Sequence, residues 1–411
     1  MRSVDVLVVG AGPAGLTAAT GLARAGAIVE VVERETAAGG IPRHSFHTGY
    51  GLRDLHRVLT GPAYAHRLVG LATAAGVQVR TGVSVTGWAG PLTLETVSPQ
   101  GIEPVAARAV VLATGARERP RAARWVPGSR AEGVYTTGLL QQLVHLHPGL
   151  PVGSRAVVVG AEHVSYSALL TLHHAGVDVL ALVTDQPRHQ TWPAFHQAAR
   201  LRYAVPVLTA ARVTNLMGRN RIDGVEVETA EGRRRVIACD TVVFTGDWVP
   251  DHELARRAGL AIDAGTLGPQ VDGAFRTDRP GVFAIGNLVH PVETADACAL
   301  DGSAVVSTVL AHLRGEPAPP SSVALRVAEP LRWAWPNRLA VGEVPGRIRL
   351  WANGFVEHPQ LVADQGGRRL AELGGPRRLV ANRPFSVDAG WVSSVDHGAG
   401  PVTLSLLGGR A

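Results

Sequence analysis

The chain of 411 residues is 46% hydrophobic and 18% charged, enough apolar material for two or three domains with sizeable cores. Its net charge of +6 is carried by scattered arginines with no lysine anywhere, which excludes a clustered nucleic-acid stripe, a P-loop ATPase and Schiff-base chemistry. Cys239 and Cys298 are the only cysteines and lie far apart, so a disulfide framework, a CxxC redox pair and an iron–sulfur cluster held by this chain alone are excluded as well. No basic, apolar and small-residue succession opens the chain and no apolar run approaches a membrane span, so a cytoplasmic protein is expected.

The first stretch organises the rest. Val6 to Val9 is an apolar, mostly β-branched run that reads as a buried parallel strand, and Gly10, Gly12 and Gly15 follow at first, third and sixth place. Pro13, Ala14 and the Ala-rich residues beyond them open a helix. In this pattern Gly10 allows the tight turn, Gly12 lets backbone approach a pyrophosphate, and Gly15 lets helix and strand pack closely. The helix N-terminus supplies free N–H groups and partial positive charge. A second apolar strand, Val29 to Val32, ends in Glu33, roughly twenty residues past the turn, where a carboxylate can accept hydrogen bonds from a ribose. Arg34, Gly40 and Val85 are expected to contact the same dinucleotide.

Residues 34–51 form a long polar, Gly-rich loop directly after that strand, expected to run along the cofactor. Residues 52–75 return to helical spacing, broken near Gly61-Pro62, and short strands follow over Val77 to Trp88 and Leu92 to Val97. The apolar run Ala109 to Leu112 meets Ala113-Thr114-Gly115, a second place where backbone must approach something closely. After a Pro- and Arg-containing crossover, a second βαβ unit begins at Arg155. It keeps only the first glycine of the fingerprint, Gly160; Glu162 and Ser165 hold the other two places. A carboxylate facing a pyrophosphate would repel it, so the residues leave open whether this domain takes a pyridine nucleotide. Strands over Val205 to Val227 and Arg233 to Phe244 precede Thr245-Gly246-Asp247. Val282 to Asn287 then lead to a helix from Ala295 to Leu313. Gly315 to Ser322 reads as a linker, and the alternating stretches beyond Arg347 read as a small all-β module.

Together, Gly10 to Gly15 with Glu33, Ala113-Thr114-Gly115 and Val282-Phe283-Ala284-Ile285-Gly286-Asn287 resemble flavoproteins with two dinucleotide-binding domains, the thioredoxin-reductase-like class, over roughly residues 1–315. The resemblance implies an α/β fold of two Rossmann-like three-layer domains, the second inserted in the first. The implied boundaries are 1–119 and 251–316 for an FAD domain and 120–250 for an NAD(P)-binding-like domain with a degenerate phosphate loop; the alternation beyond them places the β module at 325–411. It also implies that Gly286 and Asn287 contact the ribityl-pyrophosphate region, with Asn287 standing where Asp is usual. Gly39 to His44, Gly49 to Leu52 and Leu59 to Ala65 further resemble flavoprotein subunits that accompany glycerol-3-phosphate dehydrogenase-like, opine oxidase-like or hydrogen-cyanide-synthase-like partners. Several of those carry Cys where Ser45 stands.

The reading is thus an FAD-dependent oxidoreductase, a subunit of a heteromeric dehydrogenase or oxidase. It would act on a small amine or hydroxy acid, or pass electrons to or from NAD(P)H. A flavin-binding scaffold docking a catalytic partner, such as a second flavoprotein subunit, is the alternative. Flavin would supply the electron chemistry and the protein orientation and charge. The catalytic candidates are Arg43, His44 and His47 in the loop, with Tyr50 from the same loop and His290 after Gly286-Asn287 also expected near the flavin ring, since a histidine can move a proton or bind an anion. His145, His147, His173 and His174 read as structural, and no spacing suggests a metal site.

Overall fold

The computed structural model describes residues 2–407. They form two compact units, one of residues 2–43, 49–117 and 249–407, the other of 44–48 and 118–248. No helix among them is long and apolar enough to cross a membrane.

The first unit begins with β1 (Arg2–Val9), whose Val6, Leu7 and Val8 are wholly buried, as a central parallel strand covered on both faces requires. Helix α1 (Pro13–Arg24) starts with proline in its first turn, where the missing N–H costs nothing. Strand β2 (Val29–Glu33) follows, then α2 (Gly61–Ala74), β3 (Gln78–Thr81), β4 (Ser84–Gly90), β5 (Thr93–Ser98) and β6 (Gly101–Leu112). The strands lie in the order β3-β2-β1-β6-β5-β4, with β1 parallel to β2 and β6. The expected helix over 52–75 is shorter than its spacing suggests: Gly61-Pro62 begins α2 instead of interrupting it. The residues upstream are held by side chains, with Tyr64 Oη donating to Asp54 Oδ2 at 2.7 Å.

The second unit holds β7 (Val134–Thr136), α3 (Thr137–Leu146), β8 (Arg155–Val159), α4 (His163–His174), β9 (Asp178–Val183), α5 (Pro193–Tyr203) and β10 (Val207–Leu208). An antiparallel trio, β11 (Ala211–Gly218), β12 (Ile222–Thr229) and β13 (Arg234–Ile237), precedes β14 (Thr241–Phe244). β14 is an inner strand of the parallel sheet β7-β14-β8-β9-β10. Helix α5 has no buried residue, so no apolar periodicity announces it in the sequence.

The chain then completes the first unit with α6 (Glu253–Arg257), β15 (Val282–Ala284), which pairs in parallel with β6, and α7 (Ala295–Leu313). Helix α7 presses against α1 at small residues. A Cβ on Gly302 would sit 2.3 Å from the Ala14 carbonyl oxygen and 3.0 Å from the Ala18 nitrogen. Gly302→Ala must therefore push the helices apart, and the expected cost is about 1–3 kcal/mol, the usual range for overpacking a core. A thermal midpoint unchanged from wild type would show that the contact yields freely.

The longer of the remaining strands are β16 (Ser322–Val327), β17 (Leu331–Trp335), β18 (Arg338–Ala340), β19 (Arg347–Ala352), β20 (Gln360–Gln365), β21 (Arg368–Gly374), β22 (Pro384–Asp388) and β23 (Val402–Leu406). They form two sheets, β18-β16-β23-β20-β21 and β17-β19-β22, around a core that includes Leu325, Ile348, Leu350, Leu361 and Leu404. Trp333, Trp335 and Trp351 point the other way, into the core of the Rossmann layers, and Trp333 and Trp351 stack at 5.7 Å between ring centroids. The first three of these strands lie before Arg347, where the sequence announces no alternation.

Candidate dinucleotide site

The carboxyl ends of β2, β1, β6 and β15 lie side by side, and every glycine turn singled out in the sequence of this unit leaves from one of them. This is the topological switch of an open α/β sheet, where ligands bind. Gly10 has φ +105°, and a Cβ there would lie 2.4 Å from the Ala113 carbonyl oxygen, so β1 and β6 reach their turns only because position 10 is glycine. A Cβ on Gly15 would come 2.0 Å from the Gly10 carbonyl oxygen, the tight strand-to-helix return. Gly12 is different: nothing lies within 4 Å of a Cβ built on it, so this face of the turn is open space at the N-terminus of α1.

Glu33, at the end of β2, points at that turn, with its Oε2 accepting from the Ala11 N–H at 2.9 Å and its Oε1 from the Glu35 N–H at 3.0 Å. Arg34 is ion-paired with Asp251 at 3.2 Å, and Asp251 is tied in turn to the Thr-Gly exit: its carbonyl accepts from Thr114 Oγ1 at 2.7 Å, and its N–H donates to the Gly115 carbonyl at 2.9 Å. Val85 lies half-buried on β4, packed on the same core. The long loop returns across the fingerprint. The Gly39 N–H donates to the Ala11 carbonyl at 2.8 Å, and a Cβ on Gly40 would stand 2.9 Å from Gly12 Cα.

Gly286 sits against α1, where a Cβ would meet the Ala14 Cβ at 2.9 Å. Asn287 uses its amide both ways: Nδ2 donates to the Glu293 carbonyl at 3.2 Å, and Oδ1 accepts from the Glu293 N–H at 2.8 Å. An aspartate could only accept, so the amide has a local reason to stand here. It closes the turn that delivers the chain to the first residues of α7. There Asp296, almost fully buried, accepts from the Gly51 and Arg53 N–H groups at 2.9 Å each and pins the end of the loop.

The catalytic candidates fall in both units. Arg43, in the first unit, donates to the Ala37 carbonyl at 2.8 Å. His44 and His47 lie in the segment 44–48, which groups with the second unit, where Phe46 stacks on His145 at 4.1 Å. His44 is buried; His47 is partly exposed, with Nδ1 2.9 Å from the Thr48 carbonyl and Nε2 3.0 Å from Ser45 Oγ. At the Thr48 carbonyl Nδ1 can act only as a donor.

His290 is wholly buried and belongs to a network that the sequence does not reveal. Its Nε2 lies 2.5 Å from Asp301 Oδ2 and 3.0 Å from Arg349 Nη1, while Arg349 Nη2 donates to Asp301 Oδ1 at 3.0 Å. Arg349 comes from β19, and its guanidinium also covers the Trp335 ring at 4.7 Å. Burial pushes the Asp301 carboxyl up, but the charges and hydrogen bonds of His290 and Arg349 outweigh it and hold it below the ordinary value. Cys298, also buried on α7, has its thiol pushed up by burial, so it is no candidate nucleophile. Among the described residues no group of His, Cys, Asp and Glu could hold a metal ion.

Residues 4–302 match the family described as pyridine nucleotide-disulphide oxidoreductase. The chain belongs to this family. It is therefore an oxidoreductase, and its thioredoxin reductase-like relatives bind FAD with NAD(P)H as reductant. The A subunit of opine oxidase from Agrobacterium tumefaciens (strain Ach5) is 27% identical over 347 residues, 75% of this chain and 66% of that one. Its counterpart from Rhizobium meliloti is 29% identical over 323 residues, 69% of this chain and 58% of that one, so the match spans less than two thirds of either relative. Thioredoxin reductase from T. acidophilum superposes with a TM-score of 0.64 at 21% identity, over 77% of this chain and 99% of that one, a likeness of fold.

Proposed function

We propose that the chain is the FAD-bearing subunit of a heteromeric dehydrogenase or oxidase that acts on a small amine or hydroxy acid. One observation carries the flavin part of this reading: the open face at Gly12 stands among four adjacent strand ends, with Glu33 directed at the same turn. An anionic pyrophosphate fits that face, because α1 presents free N–H groups and partial positive charge there and no side chain of the turn fills it. Glu33 would hold the adenosine ribose, with Arg34 and Val85 nearby. Gly40 and the Ala113-Thr114-Gly115 turn would line the crossing, and Gly286 and Asn287 the ribityl side. Bound there, FAD supplies the two-electron chemistry.

The heteromeric part is supported by the relatives named as subunits, among them the opine oxidase A subunits and the alpha subunit of sarcosine oxidase. His47 is the foremost candidate for moving the substrate's proton, since its imidazole is partly exposed on the loop. His44 and Arg43 on the same loop are candidates for orienting the substrate. Anaerobic mixing tests the proposal: an amine or hydroxy acid should bleach the bound flavin, and His47→Gln should slow bleaching by about 100-fold or more with flavin content unchanged, the scale of a lost general base. A flavin inert to every organic donor would favour the scaffold reading, and an unchanged rate in His47→Gln would remove His47 from catalysis.

A further inference from the structure

In the second unit β8 runs through Gly160 into α4, the same strand-to-helix passage that β1 makes through Gly10 into α1. The residue two places beyond the first glycine differs in kind. At Gly12 a Cβ would meet nothing within 4 Å. At the matching place stands Glu162, the N-cap of α4, only 8% exposed. Its carboxylate folds back over the strand ends. Oε2 lies 2.7 Å from where a Cβ on Gly160 would be, and Oε1 3.0 Å from where one on Gly246 would be. Those glycines follow the carboxyl ends of β8 and β14, neighbouring parallel strands, which is the crossing a dinucleotide's pyrophosphate would use.

Glu162 is built into this position. Ser165 Oγ accepts from the Glu162 N–H at 3.2 Å while the carboxylate faces the Ser165 N–H, the reciprocal arrangement of a capping box. Ser165, wholly buried where the third glycine would be, also meets Thr245 Oγ1 at 2.7 Å, and Thr245 Oγ1 donates to the Val159 carbonyl at 3.0 Å. The free N–H groups and positive end of the helix thus face a carboxylate of the chain itself. The segment after β9 covers the same turn: the Gln190 N–H donates to the Ala161 carbonyl at 3.0 Å, and Gln190 and Thr191 are each only 2% exposed. Of the nucleotide features only Gly160, at the end of β8, and Asp185, exposed just past β9, keep their places.

We infer that the second Rossmann unit does not take NAD(P)H, because Glu162 occupies the place of the pyrophosphate and supplies the anion that α4 would otherwise bind. A carboxylate sits where the family's nicotinamide reductant would dock, so this chain would depart from its thioredoxin reductase-like relatives in what reduces its flavin. The inference rests on the flavoprotein reading above and narrows it, leaving an organic substrate or a partner as the electron source.

The test is calorimetric titration of the purified, flavin-loaded chain with NAD⁺, NADP⁺ and ADP-ribose. Flavin content is read from visible absorbance on the same sample, so a failure of the flavin reading shows separately. Wild type should show no saturable binding up to about 1 mM, and Glu162→Gly should gain at least tenfold, about 1.4 kcal/mol. If Glu162→Gly does not fold, by circular dichroism, Glu162→Gln removes the charge while keeping the bulk and should gain in the same direction. Micromolar binding by wild type would overturn the inference. A folded, flavin-loaded Glu162 variant that gains nothing would overturn the assignment to Glu162.

Discussion

Gly12→Glu is expected to give a folded protein that purifies without colour. Nothing within 4 Å opposes a Cβ at this position, and the residue is the N-cap of α1 with no side-chain cap of its own, so the fold loses little. The new carboxylate would face the pyrophosphate. Two like charges about 4 Å apart near a protein surface repel by about 4 kcal/mol, roughly a thousandfold in affinity. Gly12→Ala, which adds bulk without charge, should keep much of its flavin. The measurement is flavin-to-protein ratio beside far-ultraviolet circular dichroism. A stoichiometrically yellow Gly12→Glu protein would show that the pyrophosphate does not cross this turn, and would remove with it the parallel drawn to Glu162.

The second large effect is expected at Arg349. Arg349→Ala leaves Asp301, 2% exposed, with His290 as its one remaining side-chain partner in the network, and breaking a buried ion pair from one side costs about 3–5 kcal/mol. The loss should depend on pH with a definite sign. Asp301 is held below its ordinary value in the folded protein, so its contribution is complete above the unfolded value of about 4 and is lost as pH falls through the lower folded one. The gap in denaturant midpoint between wild type and Arg349→Ala should therefore be full at neutral pH and close in acid. Adding Asp301→Asn to Arg349→Ala should restore part of the stability, since the uncompensated charge is then gone. A gap independent of pH would mean that Arg349 acts through its packing on Trp335 instead.

Where periodicity and glycine spacing are strong, the residues are readable without coordinates. The turns at Gly10 to Gly15, Ala113 to Gly115 and Gly286, and the whole of α7, lie where the sequence places them, because each is fixed by backbone geometry that few residues tolerate. Helix α5 leaves little trace in the pattern because none of its residues is fully buried, and the spacing over 52–75 suggests too long a helix because Pro62 is a start there, not a break. The network of His290, Asp301 and Arg349 is invisible for another reason. Its members are joined by tertiary packing across long stretches of chain, and no spacing encodes that. Arg43, His44 and His47 are grouped by adjacency in sequence, whereas the contacts of the fold divide them between the two units.

The exposed stretch 314–321 is the one covalent thread between α7 and the strands that follow it. It is a natural target for a protease, yet cutting it would not free the C-terminal strands. Trp333, Trp335 and Trp351 are embedded in the other fragment's interior, Asn337 Oδ1 accepts from the Val271 N–H at 2.7 Å, and Arg349 remains clasped to α7. A nicked molecule would migrate as one species until denatured. The last strands would thus behave as a non-covalently retained wall of the first unit, and a shortened chain ending at the nick would expose three indole-sized holes to solvent.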